Sequence, residues 1–216
     1  MRRFNFKLGA KVHCEDGECG HLANLVVDPT NDQVVGLIVE KGMIFTQNRI
    51  IPIALVQYAL GDEIKLLLSR NAVDEYPTYR VIEVEEPVPH LEQNGVQVVT
   101  PFGVQNTPFE PTVPMVKHTI HTGIEETHLV LEKGMPINNL EGGVGQLEHV
   151  LVERGSNLIT HLVAKRGLIF GEKLLIPWSM VAQLGEHEVF IDGLNDTVDG
   201  LERFTDEIGQ EFLVGR

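Results

Sequence analysis

The chain matches itself at a fixed distance of 125 residues. KLGAKVHCEDGECGHLANLVVDP lies over EKGMPINNLEGGVGQLEHVLVER, and VVGLIVEKGMIFTQNRIIPIALV lies over ITHLVAKRGLIFGEKLLIPWSMV, without a gap. Gly9, Gly17 and Gly20 meet Gly134, Gly142 and Gly145; Ile51, Pro52 and Val56 meet Ile176, Pro177 and Val181. Phe4 and Phe6 fall on Leu129 and Leu131, an alternating pattern over an alternating pattern. Self-similarity at a fixed offset marks a duplicated unit, so any fold the first copy takes the second must take too.

Each copy reads as β-structure. Phe4 to Leu8 alternates, Ala10 to Cys14 and Cys19 to Asp28 flank the turn EDGE, and QVVGLIVEK is a long β-branched strand. Arg49 to Ile53 is a short strand whose Pro52 points to an edge or a bulge. LGDE turns into Ile64 to Ser69, and Ser69 or Asn71 caps one helical turn that ends before Pro77. Several short antiparallel strands in about 75 residues predict a small barrel. The expected fold class is therefore all-β: two tandem small antiparallel β-barrels with short helical turns. The expected boundaries are 1–80 for the first barrel, 81–124 for a linker or strap, 125–205 for the second barrel and 206–216 for a tail. The linker assignment rests on the prolines between Pro87 and Pro114, which favour an extended chain; docked and flexible forms are both open.

The glycine and aliphatic pattern of GAKVHCEDGECGHLANLVVDPTNDQVVGLIVEKG…IIPIALV resembles the PRC-barrel domain family, and EGGVG with ITHLVAKRGLIFGEKLLIPWSMV resembles it again. The second copy departs from the pattern where Asp-Pro becomes Glu153-Arg154. This barrel occurs in the photosynthetic reaction centre H subunit, in the C-terminal domain of a ribosome maturation factor, and in short stand-alone proteins. The resemblance implies docking and assembly rather than catalysis, and it brings no catalytic residue and no cofactor to carry over.

Net charge limits the partners. At −14 the chain on average repels phosphate backbones and anionic lipid, so nucleic acid and direct membrane insertion are not expected. No apolar run reaches the roughly 20 residues of a membrane span, and Asn5, Lys7 and Lys11 interrupt any signal-peptide core after Arg2 and Arg3. The expected location is the cytoplasm. The expected partner is a protein, basic by complementarity; self-association is left open.

The densest chemistry lies in HCEDGECGH, His13 to His21. With Asp16-Gly17 as a two-residue turn, Cys14 faces Cys19 across the ladder, with His21 on the same face and His13 on the other. Three readings follow: a plain hairpin, a redox-active cysteine pair, or a metal site on Cys14, Cys19 and His21, three of the four ligands zinc takes. The second copy has Asn139, Val144 and Gln146 at these places, so the barrel does not need the cluster to fold. His118, His121 and His128 do not converge. Two apolar loops follow glycines: Met43, Ile44 and Phe45 in the first copy, Leu168, Ile169 and Phe170 in the second. They either plug a barrel mouth or form an interface, in which case the two copies pack through them about a pseudo-two-fold axis. The function expected is a non-enzymatic adaptor or assembly protein. The alternatives are a redox- or metal-responsive module, or a ribosome-associated factor that binds a basic protein.

Overall fold

β-Branched residues and turn-forming Gly, Asn and Asp alternate along most of this chain, and the backbone follows them into strands joined by tight turns. The computed structural model describes residues 3–42, 46–87, 115–167 and 171–205. The first half contains β1 (Arg3–Cys14), β2 (Gly17–Asp28), β3 (Gln33–Lys41) and β4 (Gln47–Pro52). A 3₁₀ turn (Ile53–Leu55), β5 (Val56–Leu66), the short helix α1 (Arg70–Val73) and β6 (Thr78–Pro87) follow. After β7 (Met115–Thr122) the second half begins with β8 (Leu129–Glu132), β9 (Pro136–Asn139), β10 (Gly142–Glu153), β11 (Ile159–Arg166) and β12 (Glu172–Pro177). It closes with a 3₁₀ turn (Trp178–Met180), β13 (Val181–Leu184), β14 (Val189–Ile191) and α2 (Asn195–Asp199). The protein is mostly β, as expected, and among the described residues no helix is long and apolar enough to cross a membrane.

The two halves match in detail at the 125-residue offset. Strand β2 and strand β10 begin and end at matching positions, as do β4 and β12 and the two 3₁₀ turns. The β2–β3 ladder slips between Leu22 and Asn24, and the β10–β11 ladder slips between Leu147 and His149. Gly20 and Gly145 sit at equivalent bulges and let a neighbouring backbone approach closely. A Cβ on Gly20 would collide with the carbonyl of Glu40, and one on Gly145 would stand 2.9 Å from the carbonyl oxygen of Lys165.

The strand order contains a crossing that the sequence pattern does not reveal. The first part of β1 keeps its own half on one edge, where Asn5 and Phe6 run parallel to Leu60 and Gly61 of β5, and takes the other half on its second edge. It pairs antiparallel with β10, Phe4 opposite Val152 and Phe6 opposite Val150. The matching strand β8 makes the reciprocal pairing with β2, Leu129 opposite Val27 and Leu131 opposite Leu25. Between these junctions Gln33 bridges Leu158, its own counterpart in the other half. The N–H of Val34 donates to the carbonyl of Asn157 and that of Ile159 to Asp32, both at 3.0 Å.

Among the described residues the 14 strands thus belong to one hydrogen-bonded network, which is not closed. Two of its pairings, β1 with β5 and β9 with β14, are parallel rather than antiparallel, because β5 and β14 return to the sheet after a crossing rather than through a hairpin. The main core draws from both halves, with Phe6, Leu25, Leu37, Val150, Leu162 and Ile176 fully buried. Two smaller clusters occupy matching places outside it: Val26, Ile38, Tyr79 and Val130 in one, Leu151, Val163, Leu175 and Phe204 in the other.

The described parts of Met1–Arg80 and Gly123–Arg216 pack as one compact unit, and Val81–Thr122 forms another. The segment expected to be linker carries strand at both its ends. β6 runs through the expected boundary at residue 80, and β7 is its neighbour in the sheet. TYRVIEVEE and MVKHTIHT are β-branched and alternating, which outweighs the flanking prolines. Residues 88–114, which hold most of those prolines, lie outside the described residues.

Candidate functional site

The Cys14–Cys19 hairpin differs from the expected one by a single residue, and a bulge makes up the difference. The turn is Glu15-Asp16, so Cys14 pairs with Gly17 and His13 with Glu18. The ladder resumes with Val12 opposite Gly20, leaving Cys19 as the extra residue. That slip turns both sulfurs inward, where a disulfide joins them across a Cα–Cα distance of 5.7 Å. Both cysteines are buried.

Neighbouring groups hold the turn from outside. The N–H of Glu15 donates to the carbonyl of Leu68 at 2.8 Å, Lys65 Nζ donates to the carbonyl of Cys14 at 2.7 Å, and Asp16 Oδ1 accepts the N–H of Arg70 at 2.8 Å. That last bond holds the Asp16 carboxyl below the usual range. His21 is exposed, and its strand partners are Lys11 and Glu40; it does not join the sulfurs. Among the described residues no group of three or more His, Cys, Asp or Glu side chains is placed to hold a metal ion.

The second half closes the equivalent hairpin without sulfur. Asn139, buried where Cys14 stands in the first half, accepts the N–H groups of Glu141 at 2.9 Å and Gly142 at 3.0 Å. Its amide donates to Asn195 Oδ1 at 3.0 Å. Glu141 repeats the role of Asp16 by accepting the N–H of Asn195 at 2.6 Å. The disulfide and the asparagine are two ways of bracing the same tight turn, and the contact with the helix is made by Asp16 in the first half and by Asn139 and Glu141 in the second.

The apolar loop residues Met43, Ile44, Phe45, Leu168, Ile169 and Phe170 lie outside the described residues. The bases of their loops are equivalent. Lys41 pairs with Asp74 at the end of α1, at 2.8 Å, and Arg166 pairs with Asp199 at the end of α2.

At the β1–β10 junction stands a buried polar group that the sequence reading did not single out. His149 and Asn5 are both buried, and His149 Nδ1 donates to Asn5 Oδ1 at 2.9 Å. Its Nε2 then accepts from Lys173 Nζ at 3.4 Å, and Lys173 lies 2.9 Å from Glu148. The Phe204 ring packs over the imidazole, 5.0 Å between centroids. Burial, aided by the Lys173 charge, pushes the His149 pKa down to about 4. At the reciprocal β2–β8 junction Asn24 and Val130 take these places. The signal in the sequence was a histidine inside the otherwise aliphatic strand HVLV, which has meaning only once β1 is known to cross over.

A cleft of about 320 Å³ lies where the Asp28–Gln33 turn of the first half meets the 3₁₀ turn and β13 of the second. Pro29 and Asp32 form one wall; Trp178, Ser179, Gln183 and Leu184 contribute to the other. Asp32 adopts φ 59°, as its counterpart Asn157 adopts φ 61°, a region that Asp and Asn tolerate. No family model and no curated protein matches the chain.

Proposed function

We propose that the chain is a duplicated pair of PRC-barrel-like units that acts as a non-enzymatic docking protein for a basic protein partner. The observation that carries the reading is the reciprocal exchange of β1 and β8, which supports treating the halves as one rigid body about a pseudo-two-fold axis. A chain built this way invests its strands in holding two similar surfaces in a fixed relation, as symmetric homodimers do through equivalent patches. Its net charge of −14 favours association with positively charged protein and opposes binding to phosphate backbones. Both sulfurs of the hairpin are buried in a disulfide, so a reductant reaches them only when the hairpin opens, which weighs against the redox reading.

The test is capture from a native extract on the immobilised full chain, followed by reconstitution from purified components. The expected result is a stoichiometric complex with a basic protein that weakens as salt rises. A complex that forms only with nucleic acid, or no complex above the bait-free control, would refute the reading.

A further inference from the structure

We infer that the cleft between the Asp28–Gln33 turn and Trp178 is a receptor for a cationic side chain, arginine or lysine, presented by a protein segment. The inference rests on the docking reading and specifies where and how the partner is held.

Three observations converge. First, the cleft's polar groups have no protein partners. Among the described residues, the Asp32 carboxylate, the Trp178 indole N–H, the Ser179 hydroxyl and the Gln183 amide make no hydrogen bond or ion pair. In a concave site, unengaged donors and acceptors grouped around an aromatic ring are what a ligand uses. Second, the charge has one sign. Asp32 is the only charged residue among the eight that line the cleft, and it shares that lining with an indole, the aromatic ring that attracts cations best. A guanidinium or ammonium between them satisfies both; an anion would meet the carboxylate, and a neutral apolar group would bury it unpaired.

Third, the cleft is built on rigid parts and on one side only. The carbonyl of Asp32 is tied to the N–H of Ile159 at the bridge between the halves, so the backbone that carries the carboxylate is fixed at the cleft's edge. At the equivalent site of the other half, Asn157 replaces Asp32, Arg154 replaces Pro29 and Ile53 replaces Trp178. Ile53 is buried, and the Arg154 guanidinium already lies over the Phe4 ring, 5.6 Å from its centroid. Arg154, at the place of Pro29, thus already has an aromatic partner within the chain, although Phe4 corresponds to Leu129 rather than to Trp178. In the first half's cleft the aromatic ring and the carboxylate are present, and the cation is left for a partner to bring.

Trp178 is the only tryptophan in the chain, so tryptophan emission, excited beyond the absorption of the three tyrosines, reports this cleft alone. The experiment titrates the full chain with a blocked Ala-Arg-Ala tripeptide and with its citrulline analogue, nearly the same in shape but neutral, at low and high salt. The expected result is a saturable change with the arginine peptide that weakens as salt rises, and none with citrulline. Asp32→Asn places in the first half the residue the second half already uses at the same φ, so the backbone is undisturbed. It should weaken arginine binding about tenfold or more, since a charge-assisted bond is lost, while leaving the melting temperature nearly unchanged. Equal binding of the two peptides, no saturation by millimolar arginine peptide, or undiminished binding by Asp32→Asn would each overturn the inference. None of these results requires the natural partner, so the cleft can fail while the docking reading stands, and the reverse.

Discussion

Replacing Phe6 by alanine tests whether the exchange of β1 joins the halves energetically. Phe6 is fully buried between the halves, opposite Gly61 of β5 on its own side and opposite Val150 of β10 on the other, with the Phe4 ring 5.5 Å away. Removing a buried phenyl costs about 3–5 kcal/mol in lost transfer energy and cavity. A domain holds about 5–15 kcal/mol in all, so the variant should still fold with much of its margin gone. With a urea dependence of about 2 kcal/mol per molar, the midpoint should fall by about 2 M. The assay follows urea unfolding by far-UV circular dichroism and by the fluorescence of Trp178, which is carried by the second half and lines the cleft against the first half's Asp28–Gln33 turn. If the halves are one cooperative body, Phe6→Ala moves both signals together and by the same amount. A Trp178 transition that stays at the wild-type midpoint while the dichroism splits in two would show that the halves unfold independently and that the strand exchange carries no coupling.

Three further outcomes follow from the geometry. Cys14→Ala with Cys19→Ala should leave the fold intact, because Asn139 and Val144 serve in the matching hairpin. It should lower stability by about 2 kcal/mol, the closure entropy of so short a loop, with cysteines only 5 residues apart; thermal melts with and without reductant check it. His149 is held neutral with its pKa near 4, whereas in the unfolded chain it titrates near 6.5, so below that pH the unfolded state binds the extra proton. Its contribution is therefore full above about pH 6.5 and fades as pH falls towards 4, by about 3 kcal/mol in all; His149→Asn should flatten that part of a stability–pH curve measured by urea midpoints, and an unchanged slope would refute the assignment. Gly20→Ala should cost about 2–3 kcal/mol, more than Gly145→Ala, because only Gly20 combines a positive φ of 147° with a collision against the Glu40 carbonyl; equal melting temperatures for the two variants would count against it.

Much of the local structure was legible because it is written in short-range patterns. The strand over QVVGLIVEK, the Ser69 cap, whose hydroxyl accepts the N–H of Ala72 at 3.3 Å, and the Pro52 end of β4 follow from residue types within a few positions. The Cys14–Cys19 proximity was legible for the same reason, although the bulge at Cys19 was not, since a one-residue slip leaves the alternation plausible in either register. The exchange of β1 with β8 was out of reach in principle. Phe4 and Phe6 alternate against Val27 and Leu25 as well as against Val152 and Val150, so two chemically similar partners gave one pattern and no preference. His149 and the Asp32–Trp178 cleft depend on that long-range choice, and so they stayed hidden with it.

The offset that concealed the crossover also separates scaffold from acquired features. On the duplication proposed above, a position that keeps its role in both halves serves the fold. Lys41–Asp74 and Arg166–Asp199 pair alike, Asp16 and Glu141 each hold the first N–H of a helix, and Tyr79 and Phe204 fill matching outer cores. A position where the backbone agrees and the side chain diverges has been released from that duty. Four such divergences stand out: Cys14 against Asn139, His149 against Asn24, Trp178 against Ile53 and Asp32 against Asn157. The first pair does one job in two ways, since both residues pin the turn. The second sits inside a junction, where Asn5 and His149 satisfy each other and so discriminate β10 from β2 as the strand that receives β1. Only the last two divergences meet at a solvent-facing cleft with their polar groups unengaged. Structural need explains the first two and leaves the Asp32–Trp178 pair without an internal purpose, which is why that cleft, rather than the cysteine hairpin that dominates the sequence, is where a partner should be sought.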